Sequence, residues 1–263
     1  MDFQSLFADY SIWILLVLSF TAGFLDAVVG GGGLIQLPAL LIHLPQTPLP
    51  VLFGTNKIAA LSGTAVAAAR YARRVRFDFR LLAVVSLSAF LAANLGARSL
   101  SYLDAATLKP FILLILIVMA VYTYVRKDLG KLPGKIITFP KQLLSGALLG
   151  FAVGFYDGFF GPGTGSFFVL GFVVLLGFEF VTASAYAKMV NCVTNFSALL
   201  VFVRQGNYLA ELAILMAVCN VAGSVVGSQM ALKRGNGFVR TIFLLIVTTM
   251  IARYAYDVWL AYA

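Results

Sequence analysis

The sequence predicts an all-α, polytopic membrane bundle of two inverted repeats, each a re-entrant or broken helix pair followed by about three full spans. Three observations carry that expectation. Of 263 residues, 61% are hydrophobic and 11% charged, with a mean hydropathy of +0.97, whereas a soluble domain carries roughly 25% charged residues. The chain also matches itself, without a gap, at an offset of 131 residues. Finally, Lys and Arg gather in three short segments between apolar runs, as they do on the cytoplasmic side of membrane proteins.

Apolar stretches of spanning length recur at Val51–Ala69, Leu81–Ala97, Phe111–Val125, Val181–Val203 and Leu209–Leu232, and a span needs about 20 such residues. Lipid offers the backbone no hydrogen-bond partner, so each must be a helix or part of a closed barrel. Barrel strands would alternate over about ten residues, and here the apolar positions run continuously. Met1-Asp2-Phe3-Gln4 places an acid where a secretory signal needs basic residues, so Ser11–Gly30 is expected to be a retained membrane segment. Cys192 and Cys219 both lie in apolar runs, which leaves no basis for a disulfide framework or a zinc cluster. Neither a cofactor nor a metal is expected. The net charge of +9 finds its explanation in topology rather than in a nucleic-acid partner.

At the 131-residue offset, Gly23-Phe24-Leu25-Asp26 falls on Gly154-Phe155-Tyr156-Asp157, and Gly30 and Gly32 fall on Gly161 and Gly163. Farther on, Lys57 meets Lys188, Arg73 meets Arg204, Ala92 and Gly96 meet Gly223 and Gly227, and Leu113-Leu114-Ile115 meets Leu244-Leu245-Ile246. The repeats are therefore 1–131 and 132–263, parts of one integrated transmembrane domain, joined through the polar stretch Arg126–Lys141. Small residues four apart, Ala92/Gly96 and Gly223/Gly227, predict close helix packing.

The basic clusters are Arg70, Arg73, Arg74, Arg76 and Arg80; Arg126, Lys127, Lys131, Lys135 and Lys141; and Lys233, Arg234 and Arg240. These thirteen of nineteen bases mark the cytoplasm and leave both termini outside. Trp13 and Tyr10 at the start, with Trp259 and Tyr262 at the end, suit an external aromatic belt, and Tyr122 and Tyr124 an inner one. Corresponding loops carry opposite charge character: the five-arginine loop matches one holding Arg204 alone, and the near-neutral loop 98–109 matches the basic loop 229–240. Each half must then cross an odd number of times. Ile12–Val29 with Leu34–Leu44, and 142–160 with 163–176, are expected as re-entrant pairs of short helices before three spans each. An inner (plasma) membrane location follows.

Gly30-Gly31-Gly32-Gly33, followed by Pro38, and Gly161-Pro162-Gly163-Thr164-Gly165-Ser166 are the sharpest features of the two halves. Such breaks are tolerated at membrane depth only where protein or a water-filled cavity satisfies the backbone. The helices beginning near Leu34 and Ser166 would aim their amino ends at one central cavity, which favours anions. A hairpin turn without a ligand would also use such glycines. Neither run is a nucleotide-binding loop, since no Lys-Ser/Thr follows.

Lys57 and Lys188 lie inside apolar helices, where an ammonium costs about 2.5–3.5 kcal/mol on insertion scales and marks a functional candidate. Asn56, Asn191 and Asn195 add amide donors, and Lys188, Asn191 and Asn195 share one helical face. The set resembles an oxyanion clamp. Two structural alternatives stay open: the lysines snorkel to an interface, or each is neutralised by its own half's Asp26 or Asp157. Those aspartates are either candidates for coupling to a proton or a sodium ion or purely structural acids that accept hydrogen bonds from neighbouring backbone. His43, the one histidine, lies near an external loop ending in Pro45 and reads as a surface residue. Cys192, beside Asn191, would either line the cavity or pack inertly.

GFLDAVVGGGGLIQLPALL and GTNK in the first half, with GFYDGFFGPGTGSF, AYAKMVN and the following TN in the second, resemble the TauE/SafE sulfite exporter family (TSUP), nearest its YfcA-type members. The resemblance covers essentially the whole chain. It implies a transporter of small sulfur-containing anions of the sulfite, thiosulfate and sulfoacetate class, with the family motif falling on Gly30, Gly31, Gly32, Gly33, Pro38, Asn56 and Lys57, and on Gly161, Gly163, Gly165, Lys188, Asn191 and Asn195. Thr164 and Ser166, inside the second glycine run, join the expected substrate site. One departure bears on symmetry: Ala187 stands where the first half has Asn56.

A dianion leaving a cell with a negative interior runs with the field, by about 2.3 kcal/mol per charge per 100 mV, so efflux needs the least coupling. An enzyme is disfavoured by the lack of HExxH or a Ser/His/Asp set. The rival functions are a passive anion channel and a cation carrier using Asp26 and Asp157. The expected partners are the small anion, the lipid bilayer and a coupling ion.

Overall fold

A computed structural model describes residues 10–100 and 138–262. The described residues form eight helical segments, the last of them two helices that meet at Gly235: α1 Tyr10–Val29, α2 Gly33–His43, α3 Leu49–Ala72, α4 Phe79–Ser99, α5 Phe139–Phe159, α6 Thr164–Leu176, α7 Phe180–Arg204 and α8 Ala210–Tyr262. No strand occurs among them. The expected span at Phe111–Val125 and most of the linker lie outside the described residues.

Among the described residues, five segments are long and apolar enough to cross a bilayer: Ile12–Val29, Leu49–Ala72, Phe79–Ser99, Phe180–Arg204 and Ala210–Gly235. Their outward faces carry Val17, Leu87, Leu91, Leu95, Ile214 and Val218, all exposed, while Asp26, Asn56, Lys57, Lys188, Asn191, Asn195 and Asn220 are buried. This reverses the soluble pattern and is what lipid as the surrounding solvent demands. The chain is a multi-pass membrane protein.

Each break divides a helix pair unequally. In α1–α2 the partners have 20 and 11 residues, and in α5–α6 they have 21 and 13. The first members lie within three residues of the bounds expected from sequence, Ile12–Val29 and 142–160. In the basic segment 229–240, expected as a loop, α8 is two helices that meet at a kink at Gly235, whose φ of 68° and ψ of −161° are not helical, so the connection is a tight one. The arginine segment after α3 is a true connection. It ends at Asp78, whose side chain accepts from the backbone N–H groups of Arg80 and Leu81 and caps α4.

Helix starts recur in step, with Gly33 and Thr164, Leu49 and Phe180, and Phe79 and Ala210 all 131 residues apart. The most extensive packing joins α4 to α5 and α8 to α1. Each half's first helix therefore lies against the other half's fourth. Glycine lets those backbones meet: a Cβ on Gly154 or Gly158 would overlap the Ala89 or Ala93 backbone of α4, and one on Gly223 or Gly227 the Phe20 or Phe24 backbone of α1. Gly96, expected as a packing position, meets Phe155 in the same way. Around this frame sit two apolar clusters, one rich in aromatics near Phe168, Phe172 and Tyr186, the other around Leu40, Leu52 and Phe202.

Candidate functional site: a polar cavity between two broken helices

The two glycine breaks meet inside the bundle. Gly30 has φ 86° and its counterpart Gly161 has φ 85°, a left-handed conformation that other residues adopt only with strain. A Cβ on Gly30 would overlap the Gly165 backbone, and one on Gly165 would overlap Gly30. Crossing backbones of this kind leave room for no side chain at either position.

Breaking a helix orphans its last carbonyls, and the sequence supplies hydroxyls for them. At the end of α1, Tyr71 donates to the Ala27 carbonyl at 3.1 Å, Ser184 to Val28 at 3.4 Å and Ser166 to Val29 at 3.0 Å. Ser166 thus closes the opposite half's break and does not line the cavity. At the end of α5 the N–H groups of Phe160 and Gly161 both return to the Tyr156 carbonyl, and the Tyr156 hydroxyl donates to the Pro162 carbonyl at 2.7 Å.

A cavity of about 20 Å³ lies where the breaks cross, lined by Gly32 and Gly33 at the start of α2, Thr164 and Gly165 at the start of α6, and Asn56, Lys57, Asn191 and Asn195 from α3 and α7. Asp26, Asp157, Gln36 and Asn220 complete its polar wall. Its volume suits one water or a small ion. The amino ends of both short helices reach it, as expected for a site that attracts negative charge. Gly31 is buried beside it without lining it, and Gly163 sits behind it as the left-handed residue (φ 82°) that starts α6. Cys192 is not among its lining residues.

Neither lysine snorkels. Lys57 is 2% exposed and Lys188 0%, and each is paired across the molecule rather than within its own half. Lys57 donates to Asp157 Oδ1 at 2.8 Å and to Asn195 Oδ1 at 2.9 Å. Lys188 donates to Asp26 Oδ2 at 3.3 Å, the oxygen that also accepts from Thr64 at 2.8 Å. The sequence-based alternative of pairing within one half is corrected on this point: packing each first helix against the other repeat brings Asp26 to α7 and Asp157 to α3.

The pairs are not equivalent. Lys57 lines the cavity beside the Gly161 break, while Lys188 lies behind it on Asp26. The amides are likewise one-sided: positions 131 residues from Asn56, Asn191, Gln36 and Asn220 hold Ala187, Ala60, Phe167 and Ala89. In the wall, the Asn195 amide donates to Asn191 Oδ1 at 3.4 Å, and Asn220 donates to Gln36 Oε1 at 2.7 Å. Among buried side-chain atoms of the described residues, Gln36 Nε2, Asn56 Oδ1, Asp157 Oδ2 and Asn220 Oδ1 have no hydrogen-bond partner. Gln36 and Asn220 were invisible as site residues in the sequence, being single polar residues in apolar runs with apolar counterparts.

The family model described as "Sulfite exporter TauE/SafE" matches residues 15–254. A probable membrane transporter protein of Haemophilus influenzae is 33% identical over 93% of this chain and 94% of its own length. Probable membrane transporter protein ORF9 of a Sinorhizobium species is 35% identical, over 95% and 94%. Probable membrane transporter protein YfcA of Escherichia coli K12 is 32% identical, over 97% and 94%. No solved structure matches. Broken helices, a buried polar centre and a match along nearly its whole length lead to one conclusion: this chain belongs to the TauE/SafE sulfite exporter family of membrane transporters.

Proposed function

We propose that the protein is a secondary transporter of a small anion, a sulfur oxyanion or sulfonate, working by alternating access of two inverted halves. The observation that carries this proposal is the convergence of two helix amino ends and the Lys57 ammonium on one cavity where the halves meet. Backbone N–H groups, an ammonium and amides are the donors a tetrahedral or pyramidal oxyanion needs. The cavity holds about 20 Å³, too little for a sulfonate. Binding must therefore widen it, and the seam between the halves is where it can widen.

The proposed repeats, 1–131 and 132–263, would exchange shapes about an axis in the membrane plane, with both termini outside the inner membrane. Asp26 and Asp157, both in the cavity wall, are the two candidates for the coupling proton or sodium ion. One observation favours the rival cation carrier: both carboxylates line the cavity and only one lysine does.

A thermal-shift screen of detergent-purified protein against sulfite, thiosulfate, sulfate, sulfonates, short carboxylates and alkali cations separates the two, since ligands of the native state raise its melting temperature. Stabilisation by sulfur oxyanions, lost in Lys57→Met, is the expected result. Stabilisation by cations alone, kept or enhanced in Lys57→Met, refutes the proposal.

A further inference from the structure

We infer that the two crossed ion pairs have different jobs: Lys57–Asp157 opens to exchange its carboxylate for the transported anion while Asp157 takes up a proton, and Lys188–Asp26 stays closed as a structural latch. The inference rests on the anion reading above and adds which pair works and what it carries.

Charge counting provides the first reason. The titratable groups lining the cavity are Asp26 from α1, Lys57 from α3 and Asp157 from α5, with Lys188 from α7 behind Asp26. Two ammonium and two carboxylate groups sum to zero. An added anion would leave uncompensated negative charge in a place of low dielectric. A proton on one carboxylate restores neutrality for a monoanion.

Hydrogen bonding decides which carboxylate. Asp26 Oδ2 holds both Thr64 and Lys188, and Lys188 is 0% exposed and outside the cavity lining. Protonating Asp26 would strand that ammonium where no anion reaches it. Asp157 has Oδ1 on Lys57 and a buried Oδ2 without any donor. Lys57, in turn, faces the cavity, where an anion can take the carboxylate's place.

The exchange is balanced. A solvent proton forms an O–H bond on Asp157 Oδ2, the hydrogen bond from Lys57 Nζ to Oδ1 breaks, and Nζ donates to an oxygen of the anion. One proton accompanies each anion in the same direction, so a monoanion moves without net charge and a dianion moves one negative charge.

The test is isothermal titration of the full-length protein in detergent with thiosulfate, sulfate and methanesulfonate, all fully ionised at neutral pH. Two buffers of different ionisation enthalpy report the protons taken up. The expected result is about one proton per bound anion and a dissociation constant that rises about tenfold per pH unit. The sign follows from uptake: raising pH opposes a step that consumes a proton. In Asp157→Asn the uptake falls to zero and affinity becomes independent of pH.

Wild-type binding without proton uptake overturns the inference and leaves the transporter proposal standing. Persistence of uptake in Asp157→Asn, or its loss in Asp26→Asn instead, overturns the assignment. Should Asp157→Asn fail to fold, the wild-type proton count decides. Absence of binding by all three anions defeats this inference and the sulfur-oxyanion reading together.

Discussion

Removing Lys188 tests the latch directly. Its ammonium is 0% exposed and its partner's side chain 11%, so solvent cannot take over the pairing. In Lys188→Met, Asp26 keeps the Thr64 hydroxyl but loses its counter-charge, and breaking a buried pair from one side costs about 3–5 kcal/mol. The cost has a ceiling, because a stranded carboxyl neutralises itself by taking a proton. Replacing both partners, Lys188→Met with Asp26→Asn, removes both buried charges and is expected to recover most of the loss, as paired buried charges are often dispensable for stability itself. For a chain of this size the single variant should melt about 10 °C below wild type, with the double variant between them. The assay is thermal unfolding in one detergent at one pH, read by tryptophan fluorescence and by size-exclusion recovery after heating. A single variant as stable as wild type, or a double variant worse than either single one, refutes the account of Lys188–Asp26 as a closed structural pair.

Other outcomes follow from the same geometry. Gly158→Val pushes a side chain into the Ala93 backbone across the α4–α5 seam and is expected to cost about 3 kcal/mol, seen as a drop in monodisperse yield. Ser166→Ala leaves the Val29 carbonyl at the α1 break without its donor and should lower stability by about 1–3 kcal/mol while leaving anion affinity within about twofold, because Ser166 does not line the cavity; affinity is read by titration. Asn220→Leu removes the amide that holds Gln36 and is expected to shift the ranking of anions in the thermal-shift screen, whereas an unchanged ranking would place that wall outside the substrate's reach. A cysteine introduced at Arg74 should be labelled by a membrane-impermeant maleimide only from the cytoplasmic side.

Much of the fold was legible because lipid restricts the choices so strongly. Uninterrupted apolar runs yielded α3, α4, α7 and the first part of α8 within a few residues, and strings of glycine located both breaks, since only glycine accepts a φ near +86°. Lys57, Asn56, Asn191, Asn195 and the two aspartates were visible for the complementary reason, being costly at membrane depth. Which lysine meets which aspartate was not legible. That depends on how α1 and α5 pack, and self-similarity along the chain says nothing about exchange in space. Ser166 looked like a ligand because it sits in a glycine run, yet its hydroxyl serves a carbonyl 137 residues away. The wide α4–α5 contact rests on Gly146, Gly150, Gly154 and Gly158, whose four-residue spacing was readable but was overshadowed by the breaks.

Because α1 lies on α8 and α5 on α4, each moiety of the polypeptide covers its first helix with the other. Each resembles one protomer of a two-fold assembly whose isologous contact has been fused into a single gene product. Severing the tether should then be survivable: fragments produced together would find each other and rebuild a native particle, while either fragment produced alone would present a glycine-lined furrow with nothing to fill it.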